Sequence, residues 1–387
     1  MYPEDRLIRG LSRRVLGTKL SYRIEGLLKG EIDWPYTLGR AEEQGVAGLL
    51  WRNLRSLKVG SVPPRVLRRL KASYFHNIVN YSLYMEGLKP VLEELSVAGI
   101  PVVLLRGPAL VLTVYRDAGL RGFSDVDLWI REENLPRIEE VLRSEGFSPL
   151  EGYPLLFHKG GLWIDLHLDL IGTTRVRSRS FGARIDRDAV WEDVEPLEVD
   201  GFEVLALSPK DRLLFLCFHA LKHSFWRLIW IVDIAEAIRV YKDLHWGNFV
   251  RRAKDFGLER PAYYGLRCAH ELLDAPVPRE AMSALVPVRQ KYIERKLLDV
   301  ALAGLGADGL SEVLYLFSIS KASQRARFLW EAIFLRPELR PQVDRGLLFY
   351  PKRIFRAGKL ALGVASRAFS VNRPKSINCK GGVRGDG

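Results

Sequence analysis

Residues 101–130 read PVVLLRGPALVLTVYRDAGLRGFSDVDLWI, and residues 155–170 read LLFHKGGLWIDLHLDL. PVVLL is a short β-branched and leucine-rich run that suits a buried strand. GPALVLTVY predicts a helix, with Pro108 placed for its first turn. DVDLWI predicts a second strand. ENLPRIEEVLRSEG (133–146) predicts a helix closed by Gly146, and the last stretch predicts a hairpin turning at Gly160-Gly161. The order β-α-β-α-β-β belongs to an α/β or α+β core.

The flanks are different in kind. Residues 1–98 carry apolar residues at three- and four-residue spacing, which predicts helices, and Pro63-Pro64 punctuates the start of the last of them. After residue 205, Ser208 and Pro209 read as the N-cap and first position of a new helix, and helices follow to about residue 350. PKRIFRAGKLALGVASRAF (351–369) alternates basic and apolar residues like a basic amphipathic helix. The Gly-rich end, 370–387, reads as a disordered tail. The expected division is a helical segment at 1–98, the core at 99–205, a helical domain at 206–350 and a basic amphipathic segment with its tail at 351–387.

Composition excludes several classes. The chain has 387 residues, of which 48% are hydrophobic and 27% charged, a globular balance. Cys217, Cys268 and Cys379 are too few and too far apart for a disulfide framework or a CxxC zinc site. The opening MYPEDRLIRG lacks the apolar stretch of a signal peptide, and no apolar run approaches the roughly 18 residues of a membrane span. A soluble, cytoplasmic chain is the expectation. The net charge of +13 is uneven: residues 321–387 hold 15 of the 59 Lys and Arg but 4 of the 46 Asp and Glu. That C-terminal excess can dock on RNA, an anionic membrane surface or an acidic partner.

The chemistry concentrates in the core. Asp125 and Asp127 stand at i and i+2 on one strand and therefore project from one face. Like charges that close repel unless a cation sits between them, and Mg²⁺ suits carboxylates together with phosphate oxygens. A third carboxylate, Asp165, joins them if WIDLHL pairs beside DVDLWI. Three such carboxylates make a site for two metal ions, one on a triphosphate and one on an incoming hydroxyl. Gly107 at a helix start allows a phosphate to approach the backbone. Each feature alone is a weak signal. Their fixed order, with two acids in an otherwise apolar strand where unpaired charge is costly, is a stronger one.

His219 and His223 share a helix face at i, i+4, a spacing that serves either metal binding or core hydrogen bonding, and the metalloprotease glutamate is absent. His167 shares a strand face with Asp165. Asp169, further along that face, reads as lying beyond the metals. Trp163, Trp226 and Trp230 read as core, and Cys217, within LLFLCF, as a small core residue.

LLRGPALVLTVYRDAGLRGFSDVDLWI followed by WIDLHLDL, and further on HALKHSFWRLIWIVDIAE, resembles the polymerase-β-type nucleotidyltransferases, in particular a bacterial family of uncharacterised members. The resemblance covers roughly residues 85–240. It implies an α+β fold, a small mixed β-sheet core with flanking helices, and transfer of a nucleoside monophosphate from an NTP to an acceptor with release of pyrophosphate. It carries the catalytic and metal-ligand roles to Asp125, Asp127 and Asp165, with two Mg²⁺ ions and Mn²⁺ as a substitute. Arg106, Gly107, Arg121 and Ser124 become the nucleotide contacts, and His167, His223 and Asp233 supporting residues. ATP is the first expectation for the NTP, although no motif selects the base. The expected acceptor is a small molecule, glycan or peptide. The alternatives are a catalytically weak NTP- or RNA-binding regulatory module and an RNA-modifying nucleotidyltransferase. Two departures stand out: Arg106 replaces the family's usual Lys, and Gly107-Pro108 replaces the superfamily's Gly-Ser or Gly-Gly, which removes a backbone donor and a hydroxyl.

Overall fold

The structure, a computed structural model, describes residues 2–57, 60–173, 176–199, 201–287, 292–302 and 310–333. The expected basic amphipathic segment and tail at 351–387 lie outside the described residues. A mixed sheet of seven strands occupies the centre: β1 (Val103–Leu105), β2 (Val126–Trp129), β3 (Ser148–Leu150), β4 (Tyr153–Lys159), β5 (Leu162–His167), β6 (Glu195–Val199) and β7 (Phe202–Ala206), in the order β3-β4-β5-β2-β1-β7-β6. β1 runs antiparallel to β2 and parallel to β7, while β2 runs parallel to β5. Helices surround this sheet, so the fold is α+β.

Three strands extend the sheet beyond the expected four. β3 is a three-residue edge strand containing Pro149. β6 and β7 form a hairpin in which Pro196 sits on the outermost strand, where a missing N–H costs no ladder bond. The stretch GPALVLTVY departs from a regular α-helix. Arg106–Leu110 is α-helical, Val111–Tyr115 continues as a π-helical turn, and Arg116 ends it at φ +57°. Thr113 bonds back to the Ala109 carbonyl within this β-branched run, a competition that loosens α-helical turns. Ser208 precedes its helix as expected, yet its hydroxyl donates to Asp211 at 3.2 Å rather than to the helix backbone.

Strand alternation divides the core. Val126, Leu128 and Ile130 face one way with Ile164, Leu166 and Phe157, against Leu88, Val91, Leu92 and Leu95 of the long helix Pro64–Val97 and against Ile138, Val141 and Leu142 of Leu135–Ser144. Val103, Leu105 and Trp129 face the other way, into a larger cluster built by the helices of both ends, from Leu7 to Phe328. Asp127 lies between Val126 and Leu128, so it shares the second face, toward the helices. The long helix serves both clusters: Val66 and Leu70 enter the larger one and Tyr84 to Leu95 the smaller.

Candidate active site

The pairing on which a third carboxylate depends is present. In the parallel β2–β5 ladder Asp127 lies beside Asp165, and Trp129 beside His167. Asp127, Asp165 and His167 each offer a ligand atom, and these atoms lie within 4.8 Å of one another. Asp125, one residue before β2, joins the same cleft, with Ser124 donating to its Oδ1 at 3.3 Å. The cleft has a volume of about 800 Å³.

Arg106 stands at the centre of the carboxylates. Its Nε donates to Asp127 Oδ2 at 2.9 Å, its Nη2 pairs with Asp127 Oδ1, and its Nη1 donates to His219 Nδ1 at 2.7 Å. His167 Nε2 lies 2.7 Å from Asp127 Oδ1 and 3.4 Å from Asp165 Oδ2, so this nitrogen carries the proton and donates to the carboxylates. The Arg106 nitrogen 3.2 Å away is then a neighbour of that N–H and not its partner. Arg106 adopts φ +39°, a left-handed backbone rare outside glycine, and these side-chain bonds hold it there. Gly107 lines the cleft, and a Cβ on it would come within 3.1 Å of the Phe123 ring, a tight contact that would oblige that side chain to shift.

The electrostatics follow from this layout. Burial alone would raise the Asp127 carboxyl, but Arg106 and the His167 hydrogen bond hold it well below the carboxylate range. Burial and the adjacent Asp127 instead push Asp125 up. Burial disfavours a charged His167, yet its bonds to Asp127 and Asp165 outweigh burial and raise the ring. The cluster thus holds three carboxylates against one guanidinium and one imidazole, a surplus of negative charge that a divalent cation would relieve.

Arg121 is placed differently from Arg106. It borders the cleft, but its Nε and Nη2 donate to Asp233 at 2.9 Å and its Nη1 bonds the Gly122 carbonyl. The Tyr115 hydroxyl adds a 2.7 Å bond to Asp233. Asp233 is 1% exposed and does not line the cleft, so it reaches the site only through Arg121. Asp169, expected beyond the metals, caps a turn by accepting from the Ile171 and Thr173 amides at 2.8 and 3.0 Å.

The loop that carries Asp125 is gripped by the long helix. Asn77 donates to the Gly119 carbonyl at 3.0 Å, Asn80 to the Phe123 carbonyl at 2.8 Å, and the Tyr84 hydroxyl bonds the Ser124 carbonyl. That same hydroxyl accepts the Trp163 amide at 3.2 Å, so Tyr84 ties the approach to Asp125 to the strand bearing Asp165. A Cβ at Gly48 would collide with the Gly119 carbonyl oxygen, which lets the helix Ala47–Leu57 close on the loop from its other side. None of these loop-holding residues was among the expected ones. Their sequence signal is a polar stripe, Asn77, Asn80 and Tyr84, at three- and four-residue spacing within an apolar helix.

The remaining walls are helical. The N-terminal helices contribute Glu42, Ser73, His76 and Asn77, and the helices Pro209–Lys222 and Leu228–Val240 with their connection contribute His219, Lys222, His223, Arg227 and Trp230. His219 and His223 belong to the cleft but to no metal cluster among the described residues. Burial, reinforced by Arg106 on His219 and Lys222 on His223, keeps both rings neutral and takes His223 to about 3. Of the three tryptophans expected in the core, Trp230 packs against it from the cleft wall, whereas Trp226 is 45% exposed and Trp163 lies half-buried beside His158, outside both core clusters. Cys217 is fully buried, in keeping with its apolar run.

A sequence model described as uncharacterised nucleotidyltransferase matches residues 30–274. The chain belongs to that family. No curated protein and no solved structure matches it. Among the described residues, no helix is long and apolar enough to cross a membrane.

Proposed function

We propose that this protein is a Mg²⁺-dependent nucleotidyltransferase that moves a nucleoside monophosphate from an NTP, ATP first, onto a small-molecule, glycan or peptide acceptor. The observation that carries this is the side-by-side register of Asp127 and Asp165 on parallel strands, with Asp125 at the mouth of the same cleft. The donor set fits a divalent cation: the carboxylate oxygens of Asp127 and Asp165 suit Mg²⁺ and accept Mn²⁺ as well, while the protonated Nε2 of His167 holds Asp127 in place. Asp125, Asp127 and Asp165 would hold up to two such ions, which when bound supply Lewis-acid polarisation of the phosphate and of the acceptor hydroxyl.

The chain's own groups do the rest. Arg106 and His167 orient Asp127. Asp165, with 38% of its side chain exposed against 8% for Asp127, is the open carboxylate on the acceptor side. The acceptor oxygen forms a bond to the α-phosphorus, the bond to the β-phosphate oxygen breaks, pyrophosphate leaves, and the acceptor proton passes to a carboxylate. Positioning and charge neutralisation supply the acceleration.

One observation favours nucleotide binding without turnover: Arg106 already engages both oxygens of Asp127. A single experiment decides between the two. Purified protein with Mg²⁺ and ATP labelled at its α-phosphate is offered a panel of acceptors. Transfer of label that is lost in Asp125→Ala and in Asp127→Ala supports the enzyme. Labelling that persists in both variants sinks it, and tight ATP binding with no pyrophosphate released across the panel supports the binding module.

A further inference from the structure

The cleft presents polar and apolar surface in about equal measure, and apart from Phe123, which packs against Gly107, three of its aromatic rings gather on one wall. The rings of His219 and His223 lie 4.6 Å apart, those of His223 and Trp230 4.9 Å, and those of His219 and Trp230 5.4 Å at a near-perpendicular 85°. The three rings are therefore one packed unit. It is anchored to the carboxylates through a single side chain, because Arg106 donates to Asp127 with one edge and to His219 Nδ1 with another. A guanidinium only donates, so Nδ1 accepts and the His219 proton sits on Nε2. Burial keeps both imidazoles uncharged. The unit thus presents a neutral π-surface next to a strongly charged cluster. Arg227 stands at its rim, with its guanidinium carbon 6.0 Å from the Trp230 ring, a buried Nε that lacks a hydrogen-bond partner and no ion pair among the described residues.

The other tryptophans do not compete for this place. Trp163 pairs with His158 on the β4–β5 hairpin, Trp129 is fully buried against Trp191, and Trp226 is exposed and does not line the cleft. A nucleoside triphosphate has the complementary shape of charge, with anionic phosphates at one end and an uncharged aromatic base at the other. Phosphates drawn to the cations and metal ligands around Arg106 leave the base toward the neutral wall. Stacking on an aromatic face tolerates any base, which agrees with a chain that carries no base-selecting motif.

We propose that Trp230, backed by His219 and His223, is the stacking platform for the nucleobase of the substrate. This rests on the nucleotidyltransferase reading and adds to it where the base lies. The test is calorimetric titration of the full-length chain in Mg²⁺ with two probes: ATP, and inorganic tripolyphosphate, which has the charge but no base. Trp230→Ala should raise the Kd for ATP by about tenfold while leaving tripolyphosphate within about twofold. Trp230→Leu, which keeps the bulk without the π-face, should behave like the Ala variant and stands in for it if that variant does not fold. Trp230→Phe should retain most of the affinity. An unchanged ATP Kd in the Ala or Leu variant overturns the proposal, and so does an equal loss for both probes. If the unaltered protein binds tripolyphosphate and ATP equally well, the base has no platform. Should it bind neither, the nucleotidyltransferase reading itself fails.

Discussion

Two arginines fifteen residues apart at the ends of one short helical stretch, Arg106 and Arg121, were both expected to touch a triphosphate, and their surroundings differ. Arg121 belongs to a closed knot: two of its nitrogens go to Asp233, the third goes to a backbone carbonyl, and Tyr115 completes the carboxylate. One positive and one negative charge balance there, both almost fully buried. Arg106 belongs to an open cluster, in which Asp125, Asp127 and Asp165 outnumber the available cations and face a cleft. A closed ion pair holds structure together. An open cluster with uncompensated charge is built to receive something. On this contrast we propose that Arg121 serves the architecture of the site and Arg106 its chemistry.

That contrast can be broken most directly at Asp233. Asp233→Ala leaves Arg121 buried without its partner and should cost about 3–5 kcal/mol in urea unfolding. Asp125→Asn removes like-charge repulsion and should change stability by less than about 1 kcal/mol, in the stabilising direction, while transfer is lost. Equal stability losses at the two sites would erase the distinction. A smaller effect is expected at Tyr84, whose hydroxyl links the two regions that carry Asp125 and Asp165. Tyr84→Phe should cost about 1 kcal/mol of stability. Its kcat should fall about ten- to a hundredfold with the KM for the NTP held, because the carboxylates lose their spacing. A kcat that stays level would make Tyr84 a purely structural contact.

The smallest effect concerns pH. His223 is held neutral by burial and by the cations Lys222, Arg106 and Arg179, against a weaker pull from Asp127, which lowers it to about 3 from 6.5. A depressed histidine contributes stability above its unfolded value, and that contribution drains away as pH falls from about 6.5 toward 3. His223→Gln should therefore flatten part of the drop in Tm between about pH 7 and pH 5. An identical pH slope in the variant would show that the ring is not held in this way.

The central strands and the carboxylates on them were legible in the sequence because both signals are local. PVVLL and DVDLWI declare themselves by composition, and strand alternation alone puts Asp125 and Asp127 on one face. The partnership of Asp165 needed only the next apolar strand carrying an acid. What escaped is non-local or weakly encoded. β3 is a three-residue edge strand, and the β6–β7 hairpin was hidden by Pro196 and by the acids Glu195, Glu198 and Glu203. The placement of Trp230 on the cleft could not be separated from a core position, since the polar residues of LIWIVDIAEAIRV include the buried Asp233 and Glu236 and so do not mark its exposed side. The partner of Arg121 lies 112 residues away, and nothing in a short window announces such a pair.

The helix Pro64–Val97 has 34 residues and so runs for about 50 Å, with Pro90 in its later turns. It works like a camshaft. Its early turns are keyed to the N-terminal helices, its middle to the loop before Asp125 and its late turns to the back of the sheet. Each residue advances the helix by about 100°, so the angular phase between these three engagements is set by count alone. Inserting a single residue between Leu70 and Asn77 would turn the early part of the helix by about 100° relative to the loop-holding stripe while leaving every existing side chain unaltered. The number of residues in that span therefore matters as well as their identity, and the N-terminal helices are geometrically coupled to the cleft wall that they help to form.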